Sequence, residues 1–146
     1  MKKHLAVFSA LVVVFSLANA CVRMTPSAKT PEEVRYMNRA MRQPLVFEVP
    51  ATEGSVVWGR IQSFIGKYSS MKVQSSTDYV IETFNPPLSA PMYGYKAVRT
   101  DRGDQVEFTL ACFCGSGLSV NEATVNAHIF ALYAATGEIQ ERFIVR

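Results

Sequence analysis

The side chains best suited to chemistry in this chain are Cys112, Cys114 and His128. Thiolate sulfur and imidazole nitrogen are ligands that copper and zinc prefer, so the three could form a soft metal site. Their spacing matches no standard motif for either metal, and His128 is the only histidine beyond the N-terminal apolar segment. A Ser-His-Asp or Cys-His arrangement would also have to use His128, and no G-x-S-x-G frame surrounds any serine. No catalytic residue is therefore predicted.

Cys112 and Cys114 are alternate residues of one predicted strand, which leaves two interpretations open. Alternate Cα atoms of a regular strand lie about 6.5 to 7 Å apart, at the limit of disulfide reach. A disulfide would need a bulge or a bend, which Gly115 could supply. Without it, the two cysteines are small buried hydrophobic side chains.

A strand, a turn and a helix between Asp104 and Thr136 must position these side chains. Apolar residues recur at every second position of the strand, which places them on one face. They are Val106, Phe108, Leu110, Cys112 and Cys114. A Gly-Ser-Gly turn follows, and the capping-box pattern Ser119 to Glu122 predicts a helix from Val120 to about Thr136, ended by Gly137.

The other elements predict an α+β fold. Thr30-Pro31-Glu32-Glu33 begins a helix that reaches about Arg42, and a second helix with strong 3.6-residue periodicity ends near Tyr68. Strands are predicted at 45–49, 71–74, 79–84, 93–100 and 138–145, the last at a sheet edge. We expect an antiparallel sheet of about four to five strands with two helices on one face, preceded by a short N-terminal helix.

The first helix carries an apolar stripe of Val34, Met37 and Met41, and its arginines lie on the polar side. Two interpretations are open. The helix could pack on its own domain, with solvated arginines, or it could lie as a basic amphipathic helix on anionic lipid. We expect the first, because the stripe has only three large apolar residues.

The segment from Asn85 to Met92 contains three prolines and is the longest irregular stretch of the domain. Such loops often carry binding residues. The sequence suggests a binding rim made of Pro86, Pro87, Tyr93 and Tyr95. The alternative is a plain connection with a rigid bend. Trp58 lies off the centre of the second helix's stripe and is expected to pack at the rim of the core.

The N-terminus has the features of a secretory signal peptide. Lys2 and Lys3 precede an apolar run of 13 residues from Leu5 to Leu17, and Ala18-Asn19-Ala20 ends in small residues. A membrane-spanning helix needs about 20 apolar residues, so this run is too short to be one. Together with the small residues that follow, it predicts a signal peptide that is cleaved after residue 20.

The stretch Leu17-Ala18-Asn19-Ala20-Cys21 resembles the lipobox of bacterial lipoproteins. The resemblance implies that Cys21 becomes the N-terminal residue and carries acyl chains such as palmitate. Val22 after the cysteine, rather than aspartate, implies the outer membrane, with the domain facing the periplasm. The family favours leucine where this chain has Ala18, and ordinary cleavage after Ala20 would instead give a soluble periplasmic protein.

Composition then narrows the function. Without Lys2 and Lys3 the chain has 13 basic and 12 acidic residues, a net charge of +1 with no run of like charges, which argues against nucleic-acid binding. We divide the chain into a signal peptide (1–20), a lipid-anchor tether with a short helix (21–43) and one α+β domain (44–146).

Two functions are consistent with these features. The first is a non-enzymatic cell-envelope lipoprotein, without cofactor or metal, that binds the membrane through lipid and an envelope protein as its partner. It would be an accessory or structural component of an envelope or secretion assembly. The alternative is a soluble periplasmic protein that binds a small ligand or metal through Cys112, Cys114 and His128.

Overall fold

The computed structural model describes residues 29–115 and 120–146. The signal peptide, Cys21 and the Ser119 end of the predicted capping box lie outside these residues. The helices are α1 (Pro31–Arg42), α2 (Gly54–Tyr68) and α3 (Val120–Thr136). The strands are β1 (Val46–Pro50), β2 (Val73–Ser76), β3 (Val80–Thr83), β4 (Tyr93–Arg102) and β5 (Gln105–Cys114). Short 3₁₀ turns occur at Ala51–Glu53 and Glu141–Phe143.

The five strands form one antiparallel sheet in the order β1-β5-β4-β3-β2, which confirms the α+β prediction. β4 and β5 make a long hairpin in which Arg102 pairs with Gln105 across the loop Gly103-Asp104. Gly103 has a φ of +76°, which glycine adopts without the steric cost of a Cβ atom. β2 and β3 begin one to two residues later than predicted, and their pairing is interrupted by a bulge between Val73 and Ser75.

Strand register assigns the two faces of the sheet. Leu110 pairs with Ala97, and Phe108 pairs with Phe47, so these side chains share one face. The helices cover that face: α3 packs on β5, and α2 packs on β4 and α3. The stripe predicted for α2 is buried, as expected from its 3.6-residue period. It consists of Val57, Ile61, Phe64, Ile65 and Tyr68.

Aromatic rings fill the space between the helices and the sheet. Phe64 contacts Phe130 of α3, with ring centroids 4.6 Å apart, and Tyr95 of β4, at 5.4 Å. Trp58 is buried and stacks on Phe108 at 6.3 Å, so it belongs to the core and not to its rim.

The N-terminus of α1 has the predicted capping box. The Glu33 N–H donates to Thr30 Oγ1, and the Thr30 N–H donates to the Glu33 carboxylate. α1 packs against α3 through Tyr36 and Ala40, which are fully buried. α1 therefore packs on its own domain, as expected, but mainly through Tyr36 and Ala40. Of the predicted stripe only Met37 is partly buried against the core, whereas Val34 and Met41 are exposed. The ring of Tyr36 stacks on Phe143 and fixes which side of α1 turns inward.

The prediction of a last strand at residues 138–145 is wrong. Residues 138–145 contain a 3₁₀ turn and pair with no strand. Both backbone polar groups of Val145 bond instead to the side-chain amide of Asn126: Nδ2 donates to the Val145 oxygen at 2.8 Å, and the Val145 N–H donates to Oδ1 at 3.1 Å. The tail thus lies on the helices. Tyr68 Oη donates to Glu141 at 2.8 Å, and Arg142 pairs with Glu33.

Candidate functional site

Cys112 and Cys114 lie on the helix-covered face of β5, as predicted, and both are partly buried. No disulfide joins them in the structure. The strand is regular there: Cys112 pairs with Tyr95 and Cys114 with Tyr93, with no shift of register along the hairpin. A disulfide between alternate residues needed a bulge or bend, and the described part of β5 contains none.

The thiol of Cys112 lies in an apolar environment beside Tyr95. Burial raises the pKa of Cys112 to about 12, because the thiolate loses hydration there, although the nearby Tyr95 hydroxyl acts in the opposite direction. Burial likewise raises the pKa of Tyr95, whose hydroxyl makes no hydrogen bond of normal geometry with the described residues. A buried thiol with a raised pKa is a poor nucleophile and a poor metal ligand.

We expect alkylation of Cys112 to be slow in the folded protein. With the pKa moved from 9.0 to about 12, the thiolate population at pH 8 falls on the order of a thousandfold. Iodoacetamide labelling with peptide mapping, in buffer and in urea, measures this ratio, and labelling should accelerate as the pH rises. The folded state holds this proton more tightly, so stability should fall as the pH rises above about 9. Comparable labelling rates in buffer and urea would contradict the burial of the thiol.

His128 has a structural contact of its own. Its Nδ1 lies 2.9 Å from the backbone oxygen of Gln43, just after α1. A carbonyl oxygen only accepts, so Nδ1 carries the hydrogen and the ring ties the end of α1 to α3. In the described ranges no group of three or more His, Cys, Asp and Glu residues could hold a metal ion. The structure therefore does not bring Cys112, Cys114 and His128 together as a ligand set.

The predicted binding rim is only partly at the surface. Tyr93 and Tyr95 are buried, because they pair with Cys114 and Cys112 and so face the helices. Pro86 is buried and Pro87 is exposed. The residue that protrudes is Leu88, with 90% of its surface exposed.

The proline loop, residues 85–92, is held against the end of β5. The Gly115 N–H donates to the Met92 oxygen at 3.4 Å, and a Cβ atom at Gly115 would lie only 1.8 Å from the Pro87 oxygen. Only glycine allows this approach of two backbones. The exposed Leu88 therefore belongs to a loop whose backbone is packed against the end of β5.

The sheet face opposite the helices, here called the outer face, has an apolar row at its centre. Register places Val46, Thr109, Val98 and Val80 side by side across β1, β5, β4 and β3. Val46 and Thr109 are exposed, and the two other valines are partly exposed. None of the three described helices packs on this face.

Charged side chains flank the row on both sides. Lys96 pairs with Glu82 at 3.1 Å on one side. On the other, Arg102 lies 2.9 Å from Glu107 and 3.8 Å from Glu48, and so offsets the repulsion between those two cross-strand neighbours. Exposed ion pairs contribute little to folding, because solvent screens them. These ion pairs matter more for binding specificity. They place positive and negative groups on both sides of the apolar row, which a partner would have to match.

Both edges of the sheet are short. β1 has five residues and ends at Pro50, which lacks an N–H, and it carries Glu48. β2 has four residues, and its pairing contains the bulge at Val73. Prolines, charges and bulges at edges discourage strand addition. The outer face is thus a better candidate for partner binding than either edge.

The fold and the surface define an α+β protein whose sheet is covered by helices on one face and presents an exposed apolar row on the other. No cavity is present in the described part of the chain. No described helix has the length and apolar character of a membrane span. Comparison with family models, curated proteins and solved structures gave no match.

Proposed function

We propose that this protein is a non-enzymatic lipoprotein of the cell envelope, anchored in the outer membrane through Cys21 and facing the periplasm. It acts as an accessory or structural binding component of an envelope or secretion assembly. The outer face binds the protein partner. The exposed row of Val46, Thr109, Val98 and Val80 carries this proposal.

The chemistry of the outer face supports a protein partner. A row of short β-branched side chains, three valines and one threonine, loses little conformational entropy on binding, since both residue types are stiff at χ1. Two groups of charged side chains lie at the rim of the row: the Lys96–Glu82 pair, and Arg102 with its two glutamates. Polar groups at a rim orient the partner more than they add affinity. Leu88 on the proline loop, which is not part of the row, is a separate apolar side chain that is almost fully exposed.

The proposal predicts that a photo-crosslinking amino acid at Thr109 forms a discrete adduct with one envelope protein in the native host. Thr109 is exposed at the centre of the row. The matched control is Val56, which is 55% exposed on α2 in the helical layer. The adduct, identified by mass spectrometry, is expected at Thr109 and not at Val56.

Two further results decide the proposal. The adduct should weaken when Val98→Glu places a charge in the row, while membrane attachment is unchanged. The adduct should also be lost with Cys21→Ser, which removes the anchor. No adduct at Thr109, or equal adducts at Thr109 and Val56, would overturn the outer face as the binding surface.

A further inference from the structure

α1 presents an apolar stripe that the described residues leave largely uncovered. Tyr36 and Ala40 occupy the buried side of the helix, so Val34 and Met41 are 44% and 42% exposed. Met37 is partly buried between the two sides. Val34, Met37 and Met41 are three and four residues apart, so they line one flank of the helix. An exposed stripe of this kind on a packed helix can contact another apolar surface, such as the edge of a lipid bilayer.

Basic side chains lie next to the stripe on the solvent side of α1. Arg35 and Arg42 are exposed and form no ion pair with the described residues, whereas Arg39 pairs with Glu138. Glu33 is buried and pairs with Arg142, so of the helix's two carboxylates only Glu32 is exposed. The exposed side of α1 is therefore apolar on one flank and positively charged beside it.

The position of α1 in the chain brings this side close to the proposed anchor. Cys21 lies eight residues before Lys29, the first described residue. Eight residues reach at most about 29 Å when fully extended. α1 begins at Pro31, two residues further on, so an acylated Cys21 holds the start of this helix within about 36 Å of the bilayer surface.

We propose that the outward side of α1, formed by Val34, Met37, Met41, Arg35 and Arg42, lies on the anionic lipid surface that holds the Cys21 anchor. This inference rests on the proposed lipoprotein function. The apolar flank enters the headgroup boundary, and the two guanidinium groups bind lipid phosphates. The contact is weak alone and becomes effective because the anchor raises the local concentration of lipid. It orients the domain on the membrane.

Tryptophan fluorescence tests the contact on vesicles of phosphatidylethanolamine and phosphatidylglycerol with brominated acyl chains. The lipidated full-length protein carries Val34→Trp, and the native chain, with its buried Trp58, gives the baseline. Tyr79→Trp is the matched control, because Tyr79 is exposed on the β3 side of the sheet, remote from α1. Bromolipid should quench the added fluorescence of the Val34→Trp variant at least about twofold more than that of the control. Replacing phosphatidylglycerol by phosphatidylcholine, or adding Arg35→Ala with Arg42→Ala, should reduce the difference.

Flotation separates failure of the anchor from failure of the helix contact. If the protein does not float with the vesicles, the lipoprotein function fails. The helix contact is then measured on mature protein held to the same vesicles by an N-terminal histidine tag and a nickel-chelating lipid. Equal quenching at positions 34 and 79 on membrane-bound protein overturns the proposal in either format. A photo-crosslinker at Val34 that captures a protein instead of lipid would assign this side to a protein partner and overturn it as well.

Discussion

Phe64→Ala is expected to destabilise the protein by about 3 to 5 kcal/mol, a large share of the stability of a small domain. Phe64 is 1% exposed, and its ring on α2 contacts both α3 and the sheet. Its ring contacts those of Phe130, Tyr68, Tyr95 and Tyr133 at centroid distances of 4.6, 4.8, 5.4 and 5.8 Å. Truncation would leave a cavity that these rigid rings cannot close.

Urea unfolding followed by circular dichroism measures this loss. Phe84→Ala is the control, because it makes the same chemical change at a site that is 49% exposed. We expect the control to change the free energy of unfolding by less than about 1 kcal/mol. A comparable loss in both variants would show that Phe64 is not the centre of the core.

The second large effect is expected for Asn126→Ala, at about 2 kcal/mol. Asn126 is fully buried, and its amide is bonded to both backbone polar groups of Val145. Its removal leaves those two groups without their protein partners and releases the tail from α3. We therefore also expect faster hydrogen exchange at the Val145 amide.

Asn121→Ala is the matched control for this substitution. Asn121 lies in the first turn of the same helix and is exposed, so its loss should leave both stability and exchange nearly unchanged. An unchanged exchange rate at Val145 in Asn126→Ala would show that the tail is held by its other contacts, chiefly Phe143 on Tyr36.

Local patterns predicted the elements of this fold well. The capping box at Thr30, the 3.6-residue period of α2 and the period-two alternation of β5 each depend on neighbours in sequence, and all three are confirmed. Gly137 has the positive φ of a helix C-cap, also as predicted. These signals are strong because the residues that determine each element lie within the element itself or directly beside it.

The errors occurred where distant residues decide the outcome. The tail has a weak alternation of apolar residues, yet Asn126 takes the hydrogen bonds that a strand would have used. Tyr93 and Tyr95 follow a proline-rich loop and look exposed, but their pairing with Cys114 and Cys112 turns them into the core. A mid-helix asparagine among apolar residues was the available signal for the tail contact, since buried amides need partners.

The outer face could not be predicted from the sequence. Each of its valines belongs to a strand whose alternation is visible, but the row exists only through the pairing of β1 with β5, about 60 residues later. The exposed stripe of α1 was visible as a pattern. Which side of the helix turns inward was decided by the stacking of Tyr36 on Phe143.

The most direct test of the lipoprotein proposal is the intact mass of the protein purified from membranes of a bacterial host. We predict a mass equal to residues 21–146 plus a diacylglyceryl group and an N-linked acyl chain, with the protein in the outer-membrane fraction. An unmodified mass starting at Cys21, found in the soluble fraction, would contradict the anchor and leave a soluble periplasmic protein. The outer face would then have to be tested without the membrane.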